Sequence, residues 1–303
     1  MDYGRELQFG YFLTPDAAGY PEVVRLARLC DDLGLDLIGI QDHPYQRRFL
    51  DTWTLLAHIA AQTTRVLLFP DVANLPLRPP AMMAKTAASL DVLSGGRFEL
   101  GIGAGGFWEA IRAMDGPVRS PAEAVAALEE AIHVIRLIWS GQRGLRFDGK
   151  FYSLHGAHSG PMPAHAIGLW IGAYGPKMLN LTGRLGDGWV PSSSYATLSK
   201  LREMQERIDE GAVSAGRDPA SIQRLYNVMG LISDGPSAGF LNGPVEQWVD
   251  ELTRLTLDYG MDSYIFAPSE SPASQLERFA GEVAPRVREN VAGERGTDTS
   301  ASA

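Results

Sequence analysis

The chain has 303 residues and a mass of 32.9 kDa, which at about 100–200 residues per domain allows one large domain or two small ones. With 45% apolar and 21% charged residues it has the composition of a globular protein with a full core. A net charge of −9 argues against a nucleic-acid surface, and a single cysteine, Cys30, removes a disulfide framework or a cysteine metal cluster. No apolar run nears the roughly 20 residues needed to cross a bilayer, and the charged start Met1-Asp2-Tyr3-Gly4-Arg5-Glu6 lacks a signal-peptide core. The expectation is a soluble cytoplasmic enzyme with a small-molecule substrate and neither nucleic acid nor membrane as partner.

Residues 7–14 (LQFGYFLT) read as a first strand, and 20–33 as a helix with Val23, Val24, Leu26, Ala27 and Cys30 at helical spacing before the cap Gly34. Strand 37–41 (LIGIQ), helix 52–62, strand 65–72 (RVLLFPDV) and a long helix over 79–93 follow, the last with prolines suited to its first turn. Strand 98–103 (FELGIG) leads through a loop to helix 121–139. The pattern is then interrupted over 141–163, where 145–147 and 151–153 flank Asp148-Gly149, a hairpin signal. Strands at 169–172, 188–191, 224–232 and 262–267 alternate with helices at 176–185, 198–215, 244–259 and 273–287, and the polar residues from 293 onward read as a disordered tail.

About eight strand–helix units with nearly unbroken apolar strands predict a buried parallel sheet closed as a (β/α)8 TIM barrel. The expected organisation is one barrel domain over 1–292, with a hairpin insertion at about 141–165 between strands four and five, and a disordered tail at 293–303. A doubly wound sheet is the rival, usually with fewer strands.

A barrel carries its active site at the C-terminal strand ends, which directs attention to the residues there. Strand two ends in Gln41-Asp42-His43-Pro44-Tyr45, where His43 is a candidate proton carrier with a pKa raised by the adjacent Asp42; the alternative is a solvated loop histidine beside a capping aspartate. His58 and His133 read as helix fillers, and His155, His158 and His165 as loop histidines without carboxylate partners, so no metal site is expected. Strand three ends in Phe69-Pro70-Asp71-Val72-Ala73-Asn74, where Pro70 cannot donate to the ladder and a bulge is expected. Strand four ends in Gly101-Ile102-Gly103-Ala104-Gly105-Gly106, formally a dinucleotide fingerprint but on the wrong strand for one; close approach of backbone to another ring or sugar fits better. Strand five runs into Gly172-Ala173-Tyr174-Gly175-Pro176-Lys177-Met178, a glycine turn opening a helix and so either an anion site or an ordinary strand-to-helix turn.

Together these segments resemble the luciferase-like flavin/deazaflavin oxidoreductases over about residues 7–285. The most specific carrier is the block Leu90-Asp91-Val92-Leu93-Ser94-Gly95-Gly96-Arg97-Phe98; the stretch 72–81, the turn 172–178 and Gly186-Asp187-Gly188-Trp189 complete it. The resemblance implies a barrel with a tricyclic cofactor at its mouth, coenzyme F420 rather than FMN, and hydride transfer between the deazaflavin C5 and an unsaturated or carbonyl carbon of a small organic substrate. It places His43 and Asp42 at the reactive edge, Asp71, Val72 and Ala73 in a bulge behind the ring that often holds a non-prolyl cis peptide, and Asn74 on the cofactor's polar end. Gly105 and Gly106 allow close approach, and the amides of Gly172 through Met178 hold a phosphate. Arg47, Arg48 and Arg78 are candidate partners for an oligoglutamate tail. Ala104 stands where sugar-phosphate dehydrogenases of this branch carry an acid, leaving Glu109, one turn away, as a loose substitute; Phe107, Trp108 and Tyr174 suit an apolar pocket. Relatives form homodimers and draw on a flavin or F420 reductase. The alternatives are an FMN-dependent monooxygenase using reduced flavin and oxygen, and a non-catalytic flavin-binding barrel.

Overall fold

Strands β1 (Gln8–Leu13), β2 (Leu37–Ile40) and β3 (Leu67–Pro70) pair in parallel in the computed structural model, which describes residues 1–301. From the other edge of β1 the sheet continues through β12 (Ser263–Pro268), β10 (Gln223–Ile232), β9 (Gly188–Trp189), β8 (Leu169–Ile171), β5 (Leu100–Gly103) and β4 (Ala73–Asn74). A parallel bridge between Leu68 and Phe98 joins β3 to the residues before β5 and closes the ring. The sheet has ten strands; β4 continues β3 beyond a break and β11 (Asn242–Gly243) is an outer addition to β10, which leaves eight staves. This is the expected (β/α)8 barrel. Inside it Leu37, Phe69, Trp170, Val190, Leu225 and Ile265 form a separate apolar plug, on which Phe12, Leu67 and Val72 pack.

The helices α1 (Tyr20–Asp32), α2 (Thr52–Ala60), α3 (Pro80–Ser94), α4 (Trp108–Ala113), α5 (Pro121–Ile138), α6 (Pro176–Leu185), α7 (Leu198–Ser214) and α8 (Val245–Tyr259) fall between the strands, as the periodicity requires. α5 shows how local the signals are: Ser120 and Glu123 form a reciprocal capping box, Pro121 opens the first turn, and Ala127, Leu128, Ile132 and Ile135 make the buried stripe. None of these helices is long and apolar enough to cross a membrane.

Two regions differ from the sequence reading. The inserted hairpin pairs β6 (Leu145–Asp148) with β7 (Ser153–Ala157), so its second strand starts two residues beyond the expected 151. The cause is Glu130 on α5, whose carboxylate accepts the N–H groups of Lys150, Phe151 and Tyr152 and holds them as a turn. At the C-terminus the expected helix 273–287 is three pieces: α9 (Pro272–Arg278), a π turn (Phe279–Val283) and α10 (Ala284–Ala301). The stretch 293–301, read as disordered, is therefore helical. Val291 is buried and Arg295 makes a bidentate pair with Asp2, so contacts remote in sequence support a segment whose composition does not ask for them. Residues 302 and 303 of the expected tail lie outside the described residues.

The block 90–98 lies at the N-terminal end of the staves, away from the mouth. Arg97 donates to the carbonyls of Ala60, Thr63, Val66 and Ser94 and to Thr63 Oγ1, all at 2.9–3.1 Å, tying the α2–β3 loop to the end of α3. Asp91 is fully buried and accepts the Ala164 and His165 amides, with His165 Nδ1 at 2.8 Å; Glu99 lies 3.2 Å from Nε2. His165, expected to lack carboxylate partners, thus has two, brought to it from α3 and from the residue before β5. Burial disfavours its charged form, but the two carboxylates outweigh this and raise its pKa. Replacing Arg97 with Ala strands four carbonyls at once, so Arg97→Ala is expected to cost about 3 kcal/mol of stability by urea unfolding, with Arg97→Lys recovering less than half.

Candidate active site

The third stave cannot run straight to the mouth, because Pro70 offers no N–H to the ladder. The chain breaks at Asp71-Val72, joined by a cis peptide, and resumes pairing with β5 at Ala73 and Asn74. The break turns Asp71 and Val72 inward. Asp71 lies over Gly39 of β2, where a Cβ would come within 2.9 Å of its carboxylate, and Val72 lies against Gly103 and Gly172, where a Cβ would meet its methyl at 2.6 and 3.0 Å. These glycines therefore yield to a side chain of the protein itself. Gly105 is similar: with φ of +95° its Cβ position is filled by Pro76 and Trp108, whereas Gly106 borders open space.

Over the plug and the break lies a cleft of about 520 Å³, floored by Phe12, Val72 and Val190. Of the residues expected here, His43, Asp42, Asp71, Val72, Ala73, Asn74, Gly105, Gly106, Gly172 and Tyr174 all line it, as do Ala104 and Phe107. Ala173 is buried behind the wall, with its carbonyl accepting Trp189 Nε1, and Gly175, Pro176 and Lys177 are exposed at the start of α6, whose first turn has no side-chain cap. Met178 is half-buried and packs on the main core. Trp108 packs on the core and Glu109 is exposed outside the cleft, so neither takes part in it.

The two residues that follow β2 have different surroundings: Asp42 is buried in a clamp, and His43 stands half-buried among aromatic rings. Asp42 is buried and accepts Arg78 Nε and Nη2, each at 2.7 Å, and the Asn74 amide at 2.9 Å. Arg78 also donates to Asp51 at 2.6 Å. Asp42 thus pins β2 to β4 across the break, and Arg78 is taken up in that clamp; of the three arginines suggested for an acidic tail, only Arg47 and Arg48 are exposed. The expected rise in the His43 pKa is reversed: burial lowers it, and the Asp42 charge, shared with Arg78, only partly opposes this. A neutral imidazole stands at the rim, stacked on Tyr45 at 5.4 Å and edge-on to Phe107 at 5.6 Å. Neither ring nitrogen has a hydrogen-bond partner among the described residues.

Sequence reading missed Asn227, Ser192, Tyr195 and Gln41, which also line the cleft. Asn227 had a signal, a lone amide inside the apolar run of β10. Its Nδ2 donates to Asp71 Oδ1 at 3.1 Å, while its own Oδ1, Asp71 Oδ2 and Asn74 Oδ1 are buried without partners. Burial pushes the Asp71 carboxyl up to about 7, against the smaller opposing effect of the Asn227 hydrogen bond. On the far wall Tyr174 accepts the Ser192 amide at 3.0 Å and packs on Tyr195.

The molecule is therefore a (β/α)8 barrel with an aromatic-walled cleft at its C-terminal mouth, floored by an apolar plug and unpaired acceptors. Residues 7–238 match the family described as luciferase-like monooxygenase, and the chain belongs to that family of enzymes. It is 26% identical over 334 aligned residues to the F420-dependent glucose-6-phosphate dehydrogenase of Nocardia farcinica, spanning 93% of this chain and 98% of that one. It is 32% identical over 214 residues to the 5,10-methylenetetrahydromethanopterin reductase of Archaeoglobus fulgidus, spanning 70% and 60% of the two chains. An F420-dependent secondary alcohol dehydrogenase, solved with an F420–acetone adduct, superposes with a TM-score of 0.84 at 19% identity, over 93% of this chain and 99% of that one.

A carboxyl raised by burial is protonated in the folded chain at pH values where the unfolded chain has already lost the proton. Asp71 therefore withdraws stability as pH rises from about 4 towards 7, with a limiting slope of about 1.4 kcal/mol per pH unit. Asp71→Asn is expected to remove that slope: thermal unfolding shows the variant more stable than the parent at pH 8, with the gap closing by pH 4.

Proposed function

We propose that this chain is a cytoplasmic F420-dependent oxidoreductase in which His43 carries the proton that accompanies hydride transfer to or from a small organic substrate. The observation that carries the reading is the cleft floor: Asn74 Oδ1 and Asn227 Oδ1 are buried acceptors without donors and Asp71 Oδ2 has no partner, in a slot whose wall holds a neutral histidine. Buried acceptors left in this way are rare in folded proteins and ask for donors from a ligand. The ring N–H and the polyol hydroxyls of a deazaflavin are such donors, so the residues present fit the group. The F420-dependent Nocardia relative at 26% identity supports the same assignment.

When bound, the deazaflavin supplies the carbon that gives or takes the hydride. The chain does the rest. Phe12, Val72 and Val190 offer a flat apolar seat, and the aromatic wall of Tyr45 and Phe107 keeps water from the reacting edge. His43, neutral at pH 7, accepts the hydroxyl proton when an alcohol is oxidised, and as imidazolium returns a proton to oxygen in the reverse direction. Asp42 acts through the backbone: its clamp on Arg78 and the Asn74 amide holds the end of β2, and so His43, against the break. The uncapped first turn of α6, with Lys177 beside it, suits the cofactor phosphate. A homodimer belongs to this reading and is checked by light scattering.

Fluorescence titration is expected to give micromolar or tighter binding of F420 and binding of FMN at least tenfold weaker. The opposite order, with oxygen consumption in the presence of a flavin reductase, would move the chain to the FMN-dependent monooxygenases. His43→Ala is expected to bind F420 within about threefold of the parent while turnover falls about 100-fold or more, the usual worth of a placed proton carrier.

A further inference from the structure

We propose that the substrate is an uncharged organic molecule, an apolar alcohol or ketone, received in a second chamber beside the cofactor cleft that has no partner for a phosphate. This inference rests on the F420 reading above. The chamber, of about 590 Å³, shares Phe12, Gln41, His43, Ser192 and Tyr195 with the cleft and extends over the end of β1 towards the first turn of α1 and the end of β10. His43 thus stands on the boundary between the two spaces, where a proton carrier has to be if cofactor occupies one and substrate the other.

The charges around the chamber decide the class of occupant. No lysine or arginine lines it. Its ionisable groups other than His43 and the tyrosines are the carboxylates of Asp16 and Glu22. Glu22 pairs with Arg25 at 2.6 and 2.7 Å on the exposed face of α1, and that arginine does not line the chamber. The start of α1 offers an anion little: Pro21 has no N–H, the Glu22 amide is bonded to the Gly19 carbonyl, and the Gly19 amide before the helix is taken by Asp16 Oδ2 at 2.9 Å. A phosphate placed here would lose its water, face Asp16 at close range and find no cation or fork of donors to replace the lost hydration. His43, kept neutral by burial, brings no positive charge to it.

The remaining surface suits an apolar body carrying one polar group. Met229 and Pro268 give apolar wall, and Gln41, Thr14 and Ser192 are neutral polar groups able to fix a hydroxyl or carbonyl. Ala104, in the cleft, removes the acidic side chain at the position where the resemblance to sugar-phosphate dehydrogenases leads one to look for it. The Nocardia relative is named for glucose 6-phosphate, a dianion; the wall of this chamber points away from that chemistry although the frame is shared.

The Met229 methyl group, on the chamber wall, is a local reporter that does not depend on turnover. Protein with 13C-labelled methionine methyls is titrated, with F420 and without, with a panel of four- to ten-carbon alcohols and ketones, with cyclohexyl phosphate and with glucose 6-phosphate. The expected result is a saturable Met229 shift with at least one neutral probe at a Kd tenfold or more below that of either phosphate. Ser194→Lys, which sets a cation on the exposed rim of the chamber, is expected to tighten cyclohexyl phosphate at least fivefold and leave the neutral probe within twofold. A phosphate binding as tightly as the best neutral probe overturns the proposal, and so does a panel that leaves Met229 unshifted up to 50 mM, an order-of-magnitude ceiling for small-ligand binding of about 2 kcal/mol. Failure of F420 to bind, read separately by its own fluorescence, overturns the cofactor assignment and leaves the Met229 result standing.

Discussion

Much of the barrel mouth follows from one steric fact: the third stave is interrupted at Pro70. A proline cannot supply its ladder hydrogen bond, so the chain leaves the sheet for two residues and re-enters at Ala73. Asp71 and Val72 then project into the barrel, and neighbouring staves must make room. They do so with Gly39, Gly103 and Gly172, each at a point where a Cβ would collide with one of those two side chains. The flat apolar seat and the buried carboxyl beneath the cleft are both products of the same break.

A break in a stave is a local loss of rigidity, and the structure answers it with a charged clamp. Asp42 ties the end of β2 to the amide of Asn74 and to Arg78, which in turn holds Asp51 at the start of α2. Charge-assisted bonds of this kind are strong where water is excluded, and Asp42 is 1% exposed. The clamp uses up the carboxylate next to His43, leaving the imidazole to be governed by burial. Neutral histidine and rigid strand end are thus two consequences of one pairing, which links the packing of the mouth to its proton chemistry.

At the opposite end of the staves a hydrogen-bond network surrounds Arg97, Asp91 and His165. The block 90–98, which carries the resemblance to the family, serves there as a tie between α2, α3 and the inserted loop, at the end of the staves away from the cleft. Conformational stability and catalytic shape are carried by different ends of one barrel, which lets the loops at the mouth vary while the frame holds.

The order of strands and helices, the barrel and the irregularity at Pro70 are determined by the sequence itself, because periodicity, capping and proline act over a few residues; most of the cleft lining is legible only through the family resemblance. The Ser120–Glu123 cap and the long stripe of α5 are legible in this way. What only the tertiary structure decided are pairings between residues distant in the chain. Arg78, a candidate partner for an acidic cofactor tail, belongs to Asp42, 36 positions away. His165 was read as unsupported and lies between Asp91 and Glu99. The turn at 149–152 depends on Glu130, and the helix beyond 293 on Val291 and Arg295 meeting the body of the protein. Asn227 became part of the site only when β10 brought it beside Asp71, 156 positions earlier. Charge and hydrogen-bond capacity are written in each residue, but which partner satisfies them, and so what pKa or role results, is set by the packing that folds the chain back on itself.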